Sequence, residues 1–169
     1  GIYIGQECIL KGDNTGVLST ELVLRDKRVE AAVLETARGG IIRSGLGYDL
    51  ADVGVITNIS EDHLGLDGIG TLEELAKVKA LVIEAVKPEG TAVLNADDGM
   101  TRWLLSRVKC KVILFSTDHR NSLLTEKAKE GNCVVYVRDG SIYAAENTKE
   151  VFIAKVEEIP VTYGGKAVC

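Results

Sequence analysis

A chain of 169 residues, 46% apolar and 27% charged, is long enough to bury one real core and has the composition of a soluble globular protein. Its net charge of -5 and the absence of any Lys/Arg cluster exclude a general nucleic-acid or polyanion surface, because counterion release needs clustered cations. No apolar run is long enough to span a bilayer and no signal peptide or lipidation motif is present, which leaves the cytoplasm as the default location.

Residues Ile2 to Leu10 give two short apolar pieces broken at Gly5-Gln6, as in a pair of strands or a hairpin. With no initiator Met and a strand-like start at Gly1-Ile2-Tyr3-Ile4, the chain is expected to be a piece of something larger. A polar turn from Lys11 to Gly16 leads into a helix over Val17 to Leu24, with Val17, Leu18 and Leu22 expected inward. Glu30 to Glu35 reads as a short apolar strand ending on a carboxylate, and Ile41 to Asp49 as a glycine-broken loop with a helical turn. Val53 to Thr57 is a continuous apolar strand, expected to be buried on both faces.

The stretch Asn58-Ile59-Ser60-Glu61-Asp62-His63 then crowds an amide, a hydroxyl, two carboxylates and one of only two histidines into a loop. Thr71 to Val86 is the clearest helix, since Thr71-Leu72-Glu73-Glu74 satisfies the capping box, and Lys87-Pro88-Glu89-Gly90 stops it. Thr91 to Leu94 is the next strand, with Asn95-Ala96-Asp97-Asp98 as its polar exit. Met100 to Val108 reads as a helix with acids at its start, and Val112 to Phe115 closes the repeating pattern. Beyond a polar stretch at 118–132, three strands follow, the first two joined through the hairpin signal Asp139-Gly140. The expected class is α/β: a mostly parallel open sheet flanked by helices, with 118–160 a mixed or antiparallel subregion near the C-terminus.

Ligands bind open parallel sheets at the carboxyl ends of the strands. Glu35, the group Asn58, Asp62 and His63, and the group Asn95, Asp97 and Asp98 are each expected there. Lys79 stands out for another reason. On the helical wheel of 71–86 it falls within the stripe of Leu72, Leu75, Val82, Ile83 and Val86, whereas Glu73, Lys77 and Glu84 gather opposite. Such a lysine either snorkels outward or is retained for a purpose, and desolvation would favour its reactive neutral form. His119 has no partner pattern and reads as surface. Cys8, Cys110, Cys133 and Cys169 are too scattered for a zinc site or disulfide framework. There is no serine-nucleophile elbow, H-E-x-x-H or G-x-G-x-x-G, and no G-x-x-x-x-G-K-[ST] loop for ATP phosphates.

The stretch from Asn58 to Leu64 resembles the N-x-x-x-D-H-[LM] motif of the Mur ligase superfamily, and Glu35 to Gly40 (ETARGG) resembles the glutamate motif that precedes it. Thr71 to Ala80 is similar to the T-L-E-E-I-A-x-E-K-A segment of its folylpolyglutamate synthase branch, and Asn95 to Asp98 matches N-A-D-D. The wording of 35–47, 62–71 and 1–4 is most similar to the Mur-ligase-like part of the cyanophycin synthetase branch, so 1–169 resembles a Mur ligase central domain.

In that family a phosphate loop precedes the matched region and a further ligase lobe follows it, so the isolated chain is expected to be inactive. The resemblance implies an ATP-dependent ligase that makes amide bonds through an acyl phosphate, adding arginine to aspartate side chains of a carboxylate-bearing polypeptide, with homo-oligomers possible for the full-length protein. It implies Glu35, His63 and carbamylated Lys79 as Mg2+ ligands, Asn58 and Asp62 as supporting groups, Asn95 on the ATP side and Asn14-Thr15 on the substrate side. Ala37, Arg38 and Gly39 depart from the residues common after the glutamate, so no substrate contact carries over there. Two other readings stay open: another Mur-type ligase acting on peptidoglycan precursors or folates, and a non-catalytic module that holds a cation at an acidic edge. A metal-dependent hydrolase is disfavoured by the scarcity of histidine.

Overall fold

The computed structural model describes residues 1–61, 65 and 68–159. Strands β1 (Ile2–Ile4) and β2 (Glu7–Leu10) pair antiparallel as a small separate hairpin, turned at Gly5 with φ of 59°. Helix α1 (Val17–Arg25) forms where the periodicity places it, but its inward face differs from expectation. Thr20 is the buried residue, while Leu18 and Leu22 are 79% and 52% exposed.

A second departure follows. Residues 30–37 form no strand, and Val33 is fully exposed. A strand exists only as one side of a ladder, and this run is paired with none of the described strands, so apolar character alone does not make it one. It leads into α2 (Arg38–Ser44).

The main sheet has six strands in the order β3-β4-β5-β6-β7-β8: β3 (Ala51–Ile56), β4 (Val86–Asn95), β5 (Lys111–Ser116), β6 (Cys133–Arg138), β7 (Ser141–Glu146) and β8 (Lys149–Lys155). The first four run parallel and the last two are added antiparallel. Helices α3 (Leu72–Glu84), α4 (Thr101–Leu105) and α5 (Ser122–Lys129) make the crossovers. The expected class, a mostly parallel open sheet with helices and an antiparallel C-terminal section, is the one observed.

Register explains where the core sits. Ile56, Leu94, Leu114 and Val134 stand side by side across four parallel strands, and all are buried, together with Leu75, Ala76, Ala80 and Ile83 of α3 and Leu123 and Leu124 of α5. The neighbouring row, Val55, Val93, Ile113 and Cys133, points to the opposite face. There Val53 and Val55 remain 54% and 50% exposed, so β3 is not buried on both faces as its apolar run suggested. Crossovers of one hand stepping in one direction put their helices on one side of a sheet. Consistent with this, α3 rests on β3 closely enough that a Cβ on Gly54 would lie 2.6 Å from the Val82 carbonyl oxygen.

The start signal for α3 holds, while its end comes at Glu84, two residues before the expected Val86. Thr71 accepts from the Glu74 amide, and the Glu74 carboxylate reaches back to the Thr71 and Gly70 amides. The chain stops being helical after Glu84, yet Lys87-Pro88-Glu89-Gly90 belongs to β4 rather than to a bare turn. Helix α4 is only five residues long, ending at Leu105 rather than Val108, with Asp97 and Asp98 just before it. Helix α5 lies inside the stretch read as merely polar. Asn121 caps it, accepting from the Leu123 and Leu124 amides at 2.9 and 3.1 Å, and the two leucines bury. The strand–helix–strand repeat therefore continues one unit past Phe115, and β6 is parallel to β5.

Asp139 and Gly140, with φ of 49° and 71°, make the tight turn between β6 and β7. Across β6, β7 and β8 the Tyr136 and Tyr143 rings stack and Phe152 meets Tyr143 edge-on, and Arg138 lies over Tyr143 while pairing with Glu150 at 2.7 Å. His119 is partly exposed beside Tyr136. Cys8, Cys110 and Cys133 are free thiols, and Cys169 lies outside the described residues.

Candidate functional site

Three parallel strands deliver polar exits to one edge: 57–61 after β3, Asn95 to Asp98 after β4, and Ser116 to Asn121 after β5. They are tied to each other by side chains. Asn95 Nδ2 donates to the Thr57 carbonyl at 2.9 Å, while its Oδ1 accepts from the Asp97 amide at 2.8 Å. Buried Thr101 donates its hydroxyl to the Asn95 carbonyl. Asp98 accepts from the Ile59 amide at 2.5 Å through one oxygen and from the Met100 amide at 2.8 Å through the other.

Asp97 locks the third exit. Its carboxylate accepts from the Ser116 hydroxyl at 2.5 Å, the Asn121 amide at 2.9 Å, and both the backbone amide and hydroxyl of Thr117 at 2.8 Å. Burial pushes this carboxyl up, and the hydrogen bonds from Ser116, Thr117 and Asn121 outweigh it, holding the group below the usual carboxylate range. Asn121 also donates to the Ala96 carbonyl at 3.0 Å. An edge fixed this way is preorganised, since its backbone groups do not need to rearrange when a ligand arrives.

Lys79 reaches this edge from α3. Its Nζ donates to the Asn58 carbonyl at 3.0 Å, and the residue is half-buried, so the stem crosses the apolar stripe and the charge ends on the strand exit. The Asn58 side chain itself is on the exposed side. Asp62 and His63, the other two loop residues singled out in the sequence, lie outside the described residues.

The remaining candidates gather elsewhere. Asn14, Thr15 and exposed Glu35 border a cavity of about 430 Å³ between the β1 hairpin, α1 and the 28–35 segment. Asn14 is occupied locally, donating to the Lys11 and Gly12 carbonyls at 3.0 and 3.1 Å. Glu35 therefore does not end a strand of the sheet, contrary to expectation. It precedes α2, and α2 packs against α3. The third exit of the edge comes from β5 instead.

Magnesium takes oxygen ligands. Glu35 offers a suitable carboxylate, whereas Lys79 as an ammonium repels the ion and fits only after conversion to an anionic carbamate. Among the described residues, no three His, Cys, Asp or Glu side chains converge as a metal site. No helix among them is long and apolar enough to cross a membrane.

Asp97, Asp98 and Asn121 were missed as organisers of the edge. The signal for Asn121 was available, an Asn two residues before an apolar pair. For the two aspartates only the motif was legible, not which amides they reach.

Comparison with known proteins gives the family of the chain. Residues 1–157 match the family model described as Mur ligase middle domain. The chain is 44% identical over 166 residues to a cyanophycin synthetase of Synechocystis sp., covering 98% of this chain and 19% of that protein. It is 39% identical over 92 residues to a UDP-N-acetylmuramoylalanine--D-glutamate ligase of Desulfitobacterium hafniense, covering 54% of this chain and 19% of that one. A solved structure of a UDP-N-acetylmuramoyl-L-alanyl-D-glutamate--2,6-diaminopimelate ligase superposes on 71% of this chain and 24% of its own, with a TM-score of 0.49 and 22% identity. The chain thus spans about a fifth of the length of the relatives it matches most extensively.

Proposed function

The chain belongs to the Mur ligase family as a middle domain, and from that premise we propose that it is the nucleotide- and magnesium-handling part of an ATP-dependent ligase of cyanophycin synthetase type. In the proposed reaction a carboxylate oxygen attacks the γ-phosphorus of ATP, the bond to the β,γ-bridging oxygen breaks, and ADP leaves. An amine then attacks the acyl phosphate carbon, phosphate departs, and the amine loses a proton to give the amide. The carboxylate is assigned to aspartate side chains of a polypeptide and the amine to arginine, following the similarity that covers nearly the whole chain.

Magnesium would be held by Glu35, His63 and Lys79 as a carbamate, and when bound it would neutralise charge where carboxylate and phosphate meet. The carbamate forms when neutral Lys79 Nζ adds to carbon dioxide and releases a proton. Asn58 and Asp62 would support the loop that carries His63. Asn95 stands on the side assigned to ATP, its amide already fixing the β3 and β4 exits relative to each other. Asn14 and Thr15 are assigned to the substrate side.

The observation that supports this reading most is the Lys79 ammonium fixed on the Asn58 carbonyl, a cation brought through an apolar stripe to the strand exits. A solvated lysine has no need of that path. The test is a substrate panel on the longest native polypeptide that carries this chain. Amide product from an aspartate-rich polypeptide and arginine supports the proposal. Product only from UDP-linked muramoyl substrates, or only from folates with glutamate, would assign the chain to another Mur-type ligase, a reading favoured so far only by the shorter match to the D-glutamate ligase. Cation binding without any turnover would favour a non-catalytic module.

A further inference from the structure

The peptide unit joining Asn58 to Ile59 is gripped from both sides. Its carbonyl accepts from Lys79 Nζ at 3.0 Å and its N–H donates to Asp98 Oδ2 at 2.5 Å, so a cation and an anion face each other across one amide plane. Hydrogen bonds in series polarise the group between them, and an amide whose oxygen meets an ammonium is a stronger donor. The second Asp98 oxygen is held by the Met100 amide at 2.8 Å, which fixes the carboxylate's direction. Ile59 buries its side chain in the core, so the residue is anchored through both backbone and side chain.

We propose that Asp98 is a positioning residue that sets where the 58–61 loop leaves the sheet, and that it is the permanent half of this two-sided grip while the Lys79 half is exchangeable. The proposal rests on the ligase reading above. Conversion of Lys79 to a carbamate replaces the ammonium by an anion and removes its charge-assisted bond to the Asn58 carbonyl. Asp98 does not touch Lys79 and keeps its two amide partners through that change. The loop residues at 58–61 then stay in register with β4. Neither Asn nor Glu reproduces this. Asn offers one acceptor oxygen where two amides need one each, and Glu puts its carboxylate one methylene further out.

The experiment compares Asp98→Ala, Asp98→Asn, Lys79→Met and Leu124→Val in the longest native polypeptide carrying the chain. Leu124→Val is a core truncation on the buried face of α5 that serves as a stability control. The readouts are hydrogen exchange of the Ile59 amide without metal or nucleotide, thermal unfolding, and the magnesium concentration giving half-maximal ligase activity. Asp98→Ala is expected to lose Ile59 protection and to raise the magnesium requirement by about 10- to 100-fold, the usual effect of removing an outer supporting group. Asp98→Asn should fall between it and wild type. Should Asp98→Ala not fold, Asp98→Asn carries the same comparison.

Unchanged Ile59 exchange in the Asp98 variants, or a magnesium requirement moved no further than by Leu124→Val at equal loss of thermal stability, overturns the proposal. Full activity of Lys79→Met would instead overturn the ligase role of the lysine. The Ile59 exchange result would still decide what Asp98 does.

Discussion

Lys79 and Asp98 hold opposite ends of the same peptide group, the lysine on the Asn58 carbonyl and the aspartate on the Ile59 N–H, although they come from a helix and from a strand exit. The backbone between two opposite charges is thereby fixed without the charges meeting. A direct ion pair would hold the lysine to a counter-charge, whereas here its nitrogen rests on a neutral carbonyl.

Asn95 bridges β3 and β4 in the absence of any ligand, so Asn95→Ala should destabilise the chain before nucleotide is considered. Losing the bond to the Thr57 carbonyl is expected to cost about 1 kcal/mol, measured by urea unfolding. No change in the unfolding midpoint would mean that the amide is held in reserve for a ligand.

The row Ile56, Leu94, Leu114 and Val134 predicts where the sheet is most sensitive. Leu114→Ala, in the middle strand of that row and fully buried, should cost about 2–5 kcal/mol through lost transfer and cavity terms. Val55→Ala in the neighbouring row should cost far less, because that face is half exposed. Equal losses in denaturant titrations would contradict the assignment of one core face.

Gly54 should not tolerate even a methyl group. A Cβ there meets the Val82 carbonyl oxygen of α3 at 2.6 Å and the Val86 side chain at the start of β4 at 2.7 Å. Gly54→Ala is expected to lose about 1–3 kcal/mol as overpacking, while Gly99→Ala, which has open space, should stay near wild type by thermal unfolding.

Asp97 makes the third strand exit sensitive to acid. Its folded carboxyl is held below the usual range, so the native state binds its proton later than the unfolded chain does. The stabilisation is fully present above the unfolded value of about 3.9 and fades as pH falls through the folded one. Urea unfolding of wild type and Asp97→Asn should therefore differ at neutral pH and converge in acid. A gap independent of pH would show that the carboxylate charge contributes nothing.

Local chemistry was the legible part of this sequence. The α3 capping box, the Asp139-Gly140 turn and the hairpin broken at Gly5 each depend on a few neighbouring residues, and each forms as read. What depended on a distant partner was not legible. The run at 30–35 looks like a strand but pairs with none of the described strands, and β3 looks doubly buried while Val53 and Val55 on its second face are half exposed. Helix α5 was hidden by its polar surface despite its cap. Within the site, Lys79 stood out because a charge interrupts an apolar stripe, whereas Asp98 gave no such sign. Its role lies in an amide 39 residues away.

The central claim, that Lys79 serves ligase chemistry at the strand exits, is tested most directly by ATP-dependent amide formation in the longest native polypeptide carrying Lys79→Met, with unfolding followed in parallel. Methionine keeps the stem's volume and apolar contacts while removing the nitrogen. The account predicts loss of amide product with thermal stability close to wild type. Wild-type turnover in that variant would contradict it.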